Sequence, residues 1–323
     1  SSILWERDGL ESTVAAGRKF GTSFIVNGKT DGNSIGDAPT QIMSGLLGSL
    51  LHPSPKRALV VGLGTGSTAG WLGKVAGMER VDAVELEPAV IEVARECSPI
   101  NEKVLENPKV HVILGDAREV LLTSRERYDI VFSEPSNPYR AGVSSLYTQE
   151  YYRAAKTALG EQGIFIQWMQ GYEVDADALH TVLTTVRSVF GSVELWETMP
   201  GDFLVLARSS PVASIDVAAM TDRLAQEPYK TAVKYVWGGA SPEVVLSHFV
   251  ATDDFAKRLV DNHVGFVNKD DLNRLEFSYA RTVGEQGTLA DAVIRLSRAI
   301  GTDRPAVSAK VRWYRVDASW VLF

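Results

Sequence analysis

Residues 58–67 read ALVVGLGTGS, an uninterrupted apolar run followed by three closely spaced glycines. A parallel strand that is covered on both faces requires an apolar run of this kind. The G-x-G-x-G loop behind it allows a sharp turn into a helix, whose positive end can hold a ligand against the backbone. Ser67 takes the last place of the dinucleotide pattern G-x-G-x-x-G, which weakens a nicotinamide interpretation. The loop alone also fits a tight turn that binds nothing.

The same type of apolar run recurs along the chain, with helix-length segments between the runs. Its further copies lie at residues 81–86, 110–114, 130–132 and 163–167. Strands that alternate with helices predict an α/β protein with a Rossmann-like, doubly wound parallel sheet. Amphipathic spacing predicts two flanking helices, at residues 39–51 and 179–190. Two later apolar runs, at residues 193–196 and 203–207, predict an antiparallel pair of strands that closes the sheet.

The two ends of the chain differ from this pattern. Residues that favour strands, broken by glycines, fill the stretch between Glu11 and Asn27 and predict a small antiparallel sheet. After Ser209 the pattern becomes mostly helical, with Ser241 as a helix cap. We therefore expect three units: an N-terminal β region with a lid segment (1–50), a Rossmann-like ligand-binding domain (51–208) and a helical extension (209–323).

Composition excludes several classes of protein. The 323 residues are 45% hydrophobic and 23% charged, which is too apolar for disorder. A net charge of -7 creates no positive field for nucleic acid or an anionic membrane. Cys97 is the only cysteine and the five histidines lack metal-ligand spacing, so we expect neither a disulfide nor a metal site. No apolar run is long enough to span a membrane, although the abrupt start suggests a fragment of a longer protein.

Acidic residues follow two further strands of the predicted sheet. Glu85 closes the second strand about twenty residues after the glycine loop, where a carboxylate can accept hydrogen bonds from both ribose hydroxyls. Asp116 follows the third strand, where a carboxylate can accept a hydrogen bond from an adenine amino group. Because the carboxyl ends of parallel strands meet at one edge, the loop, Glu85 and Asp116 together predict an adenosine site.

The fourth strand leads into SEPSNP at residues 133–138, at the edge that faces the reactive part of such a ligand. Two prolines stiffen the loop beside Glu134, which suits a positioned base, although a plain proline-rich turn has the same sequence. Asp37 and Gln41, before the first strand, are candidates for a lid over the site.

These features together resemble the spermidine synthase family, the polyamine aminopropyltransferases, from about Glu11 to Ala207. The motifs that carry the resemblance, besides the glycine loop, are VNGK (26–29), DAPTQ (37–41), LHPSPKR (51–57), VELE (84–87), GD (115–116), YD (128–129), LYTQEYY (146–152) and GIFIQ (163–167). Residues 133–138 and NKDDLNRLEF (268–277) are typical of a bacterial branch that is fused to a membrane-embedded N-terminal half. The resemblance implies a class I methyltransferase-like fold.

The resemblance also implies roles for individual residues. The residues that would hold the adenosyl sulfonium donor are Gln41, Gly62, Gly64, Thr65, Gly66, Glu85, Asp116 and Ala117. Glu134 takes the place of the family's catalytic aspartate, which deprotonates the attacking amine, and Asp37 is the next candidate for that role. Two departures remove carboxylates, because Thr65 replaces an aspartate that binds the donor's amino group and Asn137 replaces a second loop aspartate.

The departure at Thr65 bears on the identity of the donor. Decarboxylated S-adenosylmethionine has a bare ammonium, which favours a neighbouring carboxylate, whereas an aspartate would repel the carboxylate of S-adenosylmethionine itself. The sequence therefore slightly favours methyl transfer from S-adenosylmethionine to an amine, with aminopropyl transfer from the decarboxylated donor as the alternative. A sensor domain that binds S-adenosylmethionine without turnover is a third hypothesis. A nicotinamide dehydrogenase is the fourth.

The acceptor is expected to be a small amine. Candidates to contact it are Asn137, Tyr139, Arg140, Tyr147, Trp168, Gln170 and Tyr172. Arg140 would tolerate an acceptor that bears a carboxylate. We expect no metal, no nucleic acid partner and a homodimer. We also expect a cytoplasmic location, either alone or as the cytoplasmic domain of a membrane protein.

Overall fold

A computed structural model describes residues 2–8, 13–18, 21–98, 100–135, 142–262, 266–275 and 289–320. The strands are β1 Ser2–Asp8, β2 Thr13–Arg18, β3 Thr22–Val26, β4 Lys29–Asn33, β5 Arg57–Val61, β6 Arg80–Glu85, β7 Val110–Leu114, β8 Tyr128–Ser133, β9 Leu159–Gln170, β10 Ser192–Met199, β11 Asp202–Arg208 and β12 Phe249–Ala251. The α-helices are α1 Ala38–Leu51, α2 Ser67–Lys74, α3 Ala89–Glu96, α4 Ala117–Thr123, α5 Gln149–Ala158, α6 Ala176–Arg187, α7 Val217–Leu224, α8 Tyr229–Trp237, α9 Pro242–Ser247, α10 Asp253–Asn262, α11 Leu289–Ala299 and α12 Trp313–Trp320. Two 3₁₀ helices span Val104–Glu106 and Val143–Tyr147.

The central sheet has eight strands in the order β12-β10-β11-β9-β8-β5-β6-β7. Strands β9, β8, β5, β6 and β7 run parallel, and β11, β10 and β12 continue the sheet antiparallel. Separate apolar cores cover the two faces, with α1, α2 and α3 on one face and α4, α5 and α6 on the other. The predicted α/β class with a doubly wound sheet is confirmed.

Register brings several strand ends to one level. Val61 of β5 lies opposite Val84 of β6 and Ser133 of β8, and Glu85 lies opposite Leu114 of β7. The residues that follow these strands therefore emerge side by side at one edge of the sheet. Because β11 is antiparallel to β9, its first residues return to the same edge.

Helix α1 packs closely on α2 and carries the lid segment against the glycine loop. A Cβ atom at Gly45 would lie 2.6 Å from the carbonyl oxygen of Thr68, so a glycine is required for the two backbones to approach this closely. Gln41 lies one helical turn before Gly45 on α1, and the close packing of the two helices brings it into contact with Thr65. The helix thus fixes part of the site as well as the core.

The N-terminal sheet is an antiparallel meander of β1 to β4. Asn27 and Gly28 form the β3–β4 turn with φ values of 49° and 78°, which are the positive values that a tight hairpin needs. The small β region is thus confirmed, and it is larger than predicted, because β1 precedes the stretch from Glu11 to Asn27 and β4 lacks a run of strand-favouring residues.

The C-terminal extension is mostly helical, as expected, and Ser241 caps α9 by accepting a hydrogen bond from the Val244 amide. The extension also contains β12, a buried three-residue strand that pairs with β10 in the central sheet. Three residues are too few to show a strand pattern in the sequence. In the portions of the chain that the structure describes, no helix has the length and apolarity that crossing a bilayer demands.

Candidate functional site

A cavity of about 700 Å³ opens at the edge of the sheet where β5, β6, β7 and β8 end. Its volume lies within the range of small-molecule sites, about 300–1,000 Å³. The N-terminal sheet closes one side with Val14, Phe24 and Val26. The glycine loop, the ends of the central strands and the 3₁₀ helix Val143–Tyr147 form the rest of the described wall.

The glycine loop forms the floor of the cavity. Gly62 has a φ of +94°, and a Cβ atom there would lie 2.8 Å from the carbonyl oxygen of Glu134. Gly64 has a φ of +51°, and the space where a Cβ atom would stand is open to beyond 4 Å, so a ligand can approach its backbone. Gly66 caps α2 in the left-handed conformation, and its Cβ position faces Val104, away from the lining.

Glu85 organises this loop. Its carboxylate accepts hydrogen bonds of 2.9 Å from the backbone amides of Leu63 and Glu87, one on each oxygen. Burial raises the pKa of Glu85, although these backbone hydrogen bonds act in the opposite direction. Glu85 also lines the cavity, where its carboxylate is an acceptor for the hydroxyls of a vicinal diol.

Asp116 and Ala117 line the cavity at the end of β7. The side chain of Asp116 caps α4 by accepting a 2.7 Å hydrogen bond from the Arg118 amide. This cap fixes the carboxylate at the mouth of the cavity and leaves its second oxygen available to an amino group.

Glu134 follows β8 and is held at both backbone and side chain. Its amide donates to the carbonyl oxygen of Val61 at 2.9 Å, and its Oε2 accepts a 3.0 Å hydrogen bond from the Thr68 hydroxyl. The adjacent Pro135 also lines the cavity. The predicted residues Asn137, Tyr139 and Arg140 lie outside the described part of the chain, so their placement stays a prediction.

The lid segment approaches the glycine loop from the other side. The hydroxyl of Thr65 donates a 2.6 Å hydrogen bond to Oε1 of Gln41, and both residues are buried in the cavity wall. Asp37, half-buried before α1, accepts a 2.7 Å hydrogen bond from the Asn33 amide. Burial raises the pKa of the Asp37 carboxyl, with the Asn33 hydrogen bond opposing it.

Asp202 is a lining residue that sequence reasoning missed. It opens the antiparallel strand β11, is 8% exposed, and accepts a 2.5 Å hydrogen bond from the Thr40 hydroxyl. Burial raises the pKa of Asp202 to about 6, and the charge of Asp37 adds to the effect, while hydrogen bonds from Thr40 and Trp168 oppose it. The only signal in the sequence is an acidic residue at the head of an otherwise apolar run.

The candidate acceptor residues divide into two groups. Trp168 and Tyr172 line the cavity. Tyr147 is fully buried and its hydroxyl donates to the carbonyl oxygen of Trp168 at 3.2 Å, and the buried Gln170 donates to the carbonyl oxygen of Tyr172 at 3.0 Å. Tyr147 and Gln170 thus lie behind the lining residues and support them, because both side chains point into the core.

Charge is distributed very unevenly over the lining. Six carboxylate side chains line the cavity: Asp37, Glu85, Glu87, Asp116, Glu134 and Asp202. Among the described lining residues there is no Lys, Arg or His. A cavity with this lining attracts cations and repels anionic groups.

Comparison with known proteins identifies similar chains. A profile described as the spermine/spermidine synthase domain matches residues 40–201. A polyamine aminopropyltransferase from Nitrosomonas europaea is 33% identical over 148 residues, which are 46% of this chain and 45% of that protein. One from Streptococcus pneumoniae is 27% identical over 237 residues, 70% of this chain and 82% of that protein. The alignment thus spans less than half of the Nitrosomonas relative.

The fold has a counterpart among solved structures. The crystal structure of spermidine synthase from Thermotoga maritima superimposes with a TM-score of 0.66 at 20% sequence identity, covering 81% of this chain and 88% of that one. At this level of identity the match concerns the fold.

Proposed function

Because the chain belongs to the spermine/spermidine synthase domain family, we propose that it transfers an aminopropyl group from decarboxylated S-adenosylmethionine to a small amine. The observation that carries the proposal is the acidic lining of the cavity. Decarboxylated S-adenosylmethionine has a sulfonium and an ammonium and no anionic group, so it matches this lining better than S-adenosylmethionine, whose carboxylate is repelled.

This proposal reverses the preference for methyl transfer that the replacement at Thr65 suggested. The comparisons support the aminopropyl alternative better than methyl transfer. Thr65 does remove one carboxylate from the glycine loop, but its hydroxyl already donates to Gln41 and adds no positive charge for a donor carboxylate. Asp37 and Asp202 meanwhile supply negative charge to the same cavity.

In the proposed arrangement, the donor's adenosine lies over the glycine loop. Glu85 accepts hydrogen bonds from its ribose, and Asp116 accepts one from its adenine. Gln41 and Thr65 face the sulfonium end, with the backbone of Gly62 and Gly64 beneath it. The amine then occupies the part of the cavity that Asp37, Glu134 and Asp202 line.

The proposed reaction is an in-line displacement. The lone pair of the amine forms a bond to the propyl carbon attached to sulfur, the carbon–sulfur bond breaks, and its electron pair remains on sulfur in a neutral thioether. Glu134 accepts the proton that the amine nitrogen must lose. Thr68 orients the carboxylate of Glu134 by donating to its Oε2.

Calorimetric titration with the two donors tests the proposal. We expect the wild-type protein to bind decarboxylated S-adenosylmethionine at least about tenfold more tightly than S-adenosylmethionine, which corresponds to about 1.4 kcal/mol. Thr65→Asp adds a further carboxylate and should widen the gap, while Thr65→Asn is the uncharged control. Tighter binding of S-adenosylmethionine by the wild type would contradict the proposal and favour methyl transfer.

A further inference from the structure

A turn in the C-terminal extension, residues 268–274, contacts the 3₁₀ helix Val143–Tyr147 although it lies outside the matched family domain. Asn268, at the start of this turn, is fully buried. Its amide donates to the Thr185 hydroxyl at 2.9 Å, and its carbonyl oxygen accepts from the amide of Gln149, the first residue of α5, at 2.8 Å. Its side-chain oxygen accepts from the Arg274 amide at 3.0 Å, which closes the turn.

The turn holds the 3₁₀ helix Val143–Tyr147 from behind. The side-chain amide of Asn268 donates to the carbonyl oxygen of Tyr147 at 3.2 Å, and that of Asn273 donates to the Ser144 hydroxyl at 2.9 Å. The opposite side of the same 3₁₀ helix lines the cavity through Val143, Ser145 and Leu146. The turn therefore supports one wall of the cavity without lining it.

The same turn also reaches the start of α4. Asp270 forms a two-pronged ion pair with Arg118, whose Nη1 lies 2.8 Å from Oδ1 and whose Nη2 contacts Oδ2. Nη1 of Arg118 also donates to the carbonyl oxygen of Ser145 at 3.1 Å. The backbone amide of Arg118 donates the hydrogen bond by which the Asp116 side chain caps α4. Arg118 thus joins the Asp116 end of the cavity, the 3₁₀ helix and the turn.

We infer that the turn 268–274 positions the wall that receives the donor's adenine, with Asp270 acting through Arg118 as a positioning residue for donor binding. The inference rests on the proposed function only in placing adenosine at Asp116. Arg118 and Asp270 are 24% and 41% exposed at their side chains, so their pairing contributes little to overall stability. Its geometry, two parallel hydrogen bonds, instead fixes how the two wall segments lie against each other.

Binding of 5′-methylthioadenosine, measured by calorimetry on the full chain, tests this inference. This probe contains the adenosine and no transferable group, so the test stays valid whichever group the protein transfers. Asp270→Asn keeps the shape of the side chain and removes its charge. We expect its dissociation constant for the probe to rise about three- to tenfold, with a melting temperature unchanged within about 1 °C. Asp270→Glu keeps the charge and should retain most of the affinity.

Asp317→Asn is the matched control, because Asp317 forms an exposed ion pair with Arg304 on the same extension and does not line the cavity. We expect it to bind the probe like the wild type. Equal affinity of Asp270→Asn and wild type would overturn the inference, and so would equal weakening by Asp317→Asn. A loss of affinity that accompanies a lower melting temperature would assign Asp270 a structural role instead. Asn268 is not used, since its burial puts the fold itself at risk.

Discussion

We expect ionised Asp202 to lower the stability of the folded protein and to strengthen the binding of a cationic substrate, and Asp202→Asn tests both effects. Its pKa rises from the ordinary value of 3.8 to about 6 in the folded protein. The difference is about two pH units, and each unit corresponds to about 1.4 kcal/mol, so the buried charge costs about 3 kcal/mol at neutral pH. The folded protein binds this proton more tightly than the unfolded chain, so the group's contribution to stability decreases as pH rises from about 4 to about 6.

Asp202→Asn mimics the protonated carboxyl and keeps the hydrogen bond from Thr40. We therefore expect the variant to be about 1–3 kcal/mol more stable than wild type at pH 7.5 and equal to it near pH 4. The same variant should bind a diamine at least about tenfold more weakly, because it removes a charge from the acidic part of the cavity.

Urea unfolding at pH 4 and pH 7.5 measures the stability difference, and Asp317→Asn, which changes an exposed carboxylate, is the control expected to stay within about 0.5 kcal/mol of wild type. A variant that is less stable than wild type at pH 7.5 would contradict this prediction. A stability difference that does not change with pH would refute it as well, since the effect would then have a cause other than the buried charge.

Two further predictions concern the chemistry and the donor. Glu134→Gln should lower kcat by a factor of about 10²–10⁴ at pH 7 with little change in donor affinity. Higher pH should restore part of the rate, because more of the amine is then neutral. Turnover at the wild-type rate at pH 7 would exclude Glu134 as the base. Glu85→Gln should weaken the binding of 5′-methylthioadenosine, measured by calorimetry, by about 1–3 kcal/mol. The reason is that the glutamine NH₂ group, a donor, must then face another donor, either a ribose hydroxyl or the backbone amide of Leu63 or Glu87. Unchanged affinity would show that Glu85 does not bind the donor.

The parts of the fold that sequence reasoning predicts are those with a local signal. The central parallel strands are buried on both faces and therefore consist of apolar runs, so their positions are readable from the chain. Strand β4 has the sequence KTDGN and lacks such a run, because it is an edge strand that receives its register from β3. Strand β12 is recognisable only by its pairing with β10.

The site follows the same division. Glu85 ends a parallel strand, and Asp116 and Glu134 each follow one within two residues, so sequence order alone predicts that they share an edge. Asp202 reaches this edge only because β11 is antiparallel, and its hydrogen-bond partner Thr40 is 162 residues away in the chain. The sequence favoured methyl transfer because it shows the loss of one carboxylate at position 65. It does not show the summed charge of the cavity, to which distant residues such as Asp202 contribute.

Fusion to a membrane-embedded half, the homodimer and the roles of Tyr139 and Arg140 stay predictions. Residues 268–275 of the segment that suggested the fusion are described, and they contact the 3₁₀ helix and α4 instead of forming a separate unit. The motif therefore has a structural explanation within this chain that is independent of any membrane part.

Mass spectrometry of the reaction products identifies the group that the protein transfers. The purified protein is incubated with a series of diamines and either decarboxylated S-adenosylmethionine or S-adenosylmethionine, with Glu134→Gln in parallel. The proposed aminopropyl transfer predicts an amine enlarged by one aminopropyl group, together with 5′-methylthioadenosine, from the decarboxylated donor and far less of both from the variant. A methylated amine formed only from S-adenosylmethionine would contradict it, as would donor binding without turnover of any diamine, the behaviour of a sensor.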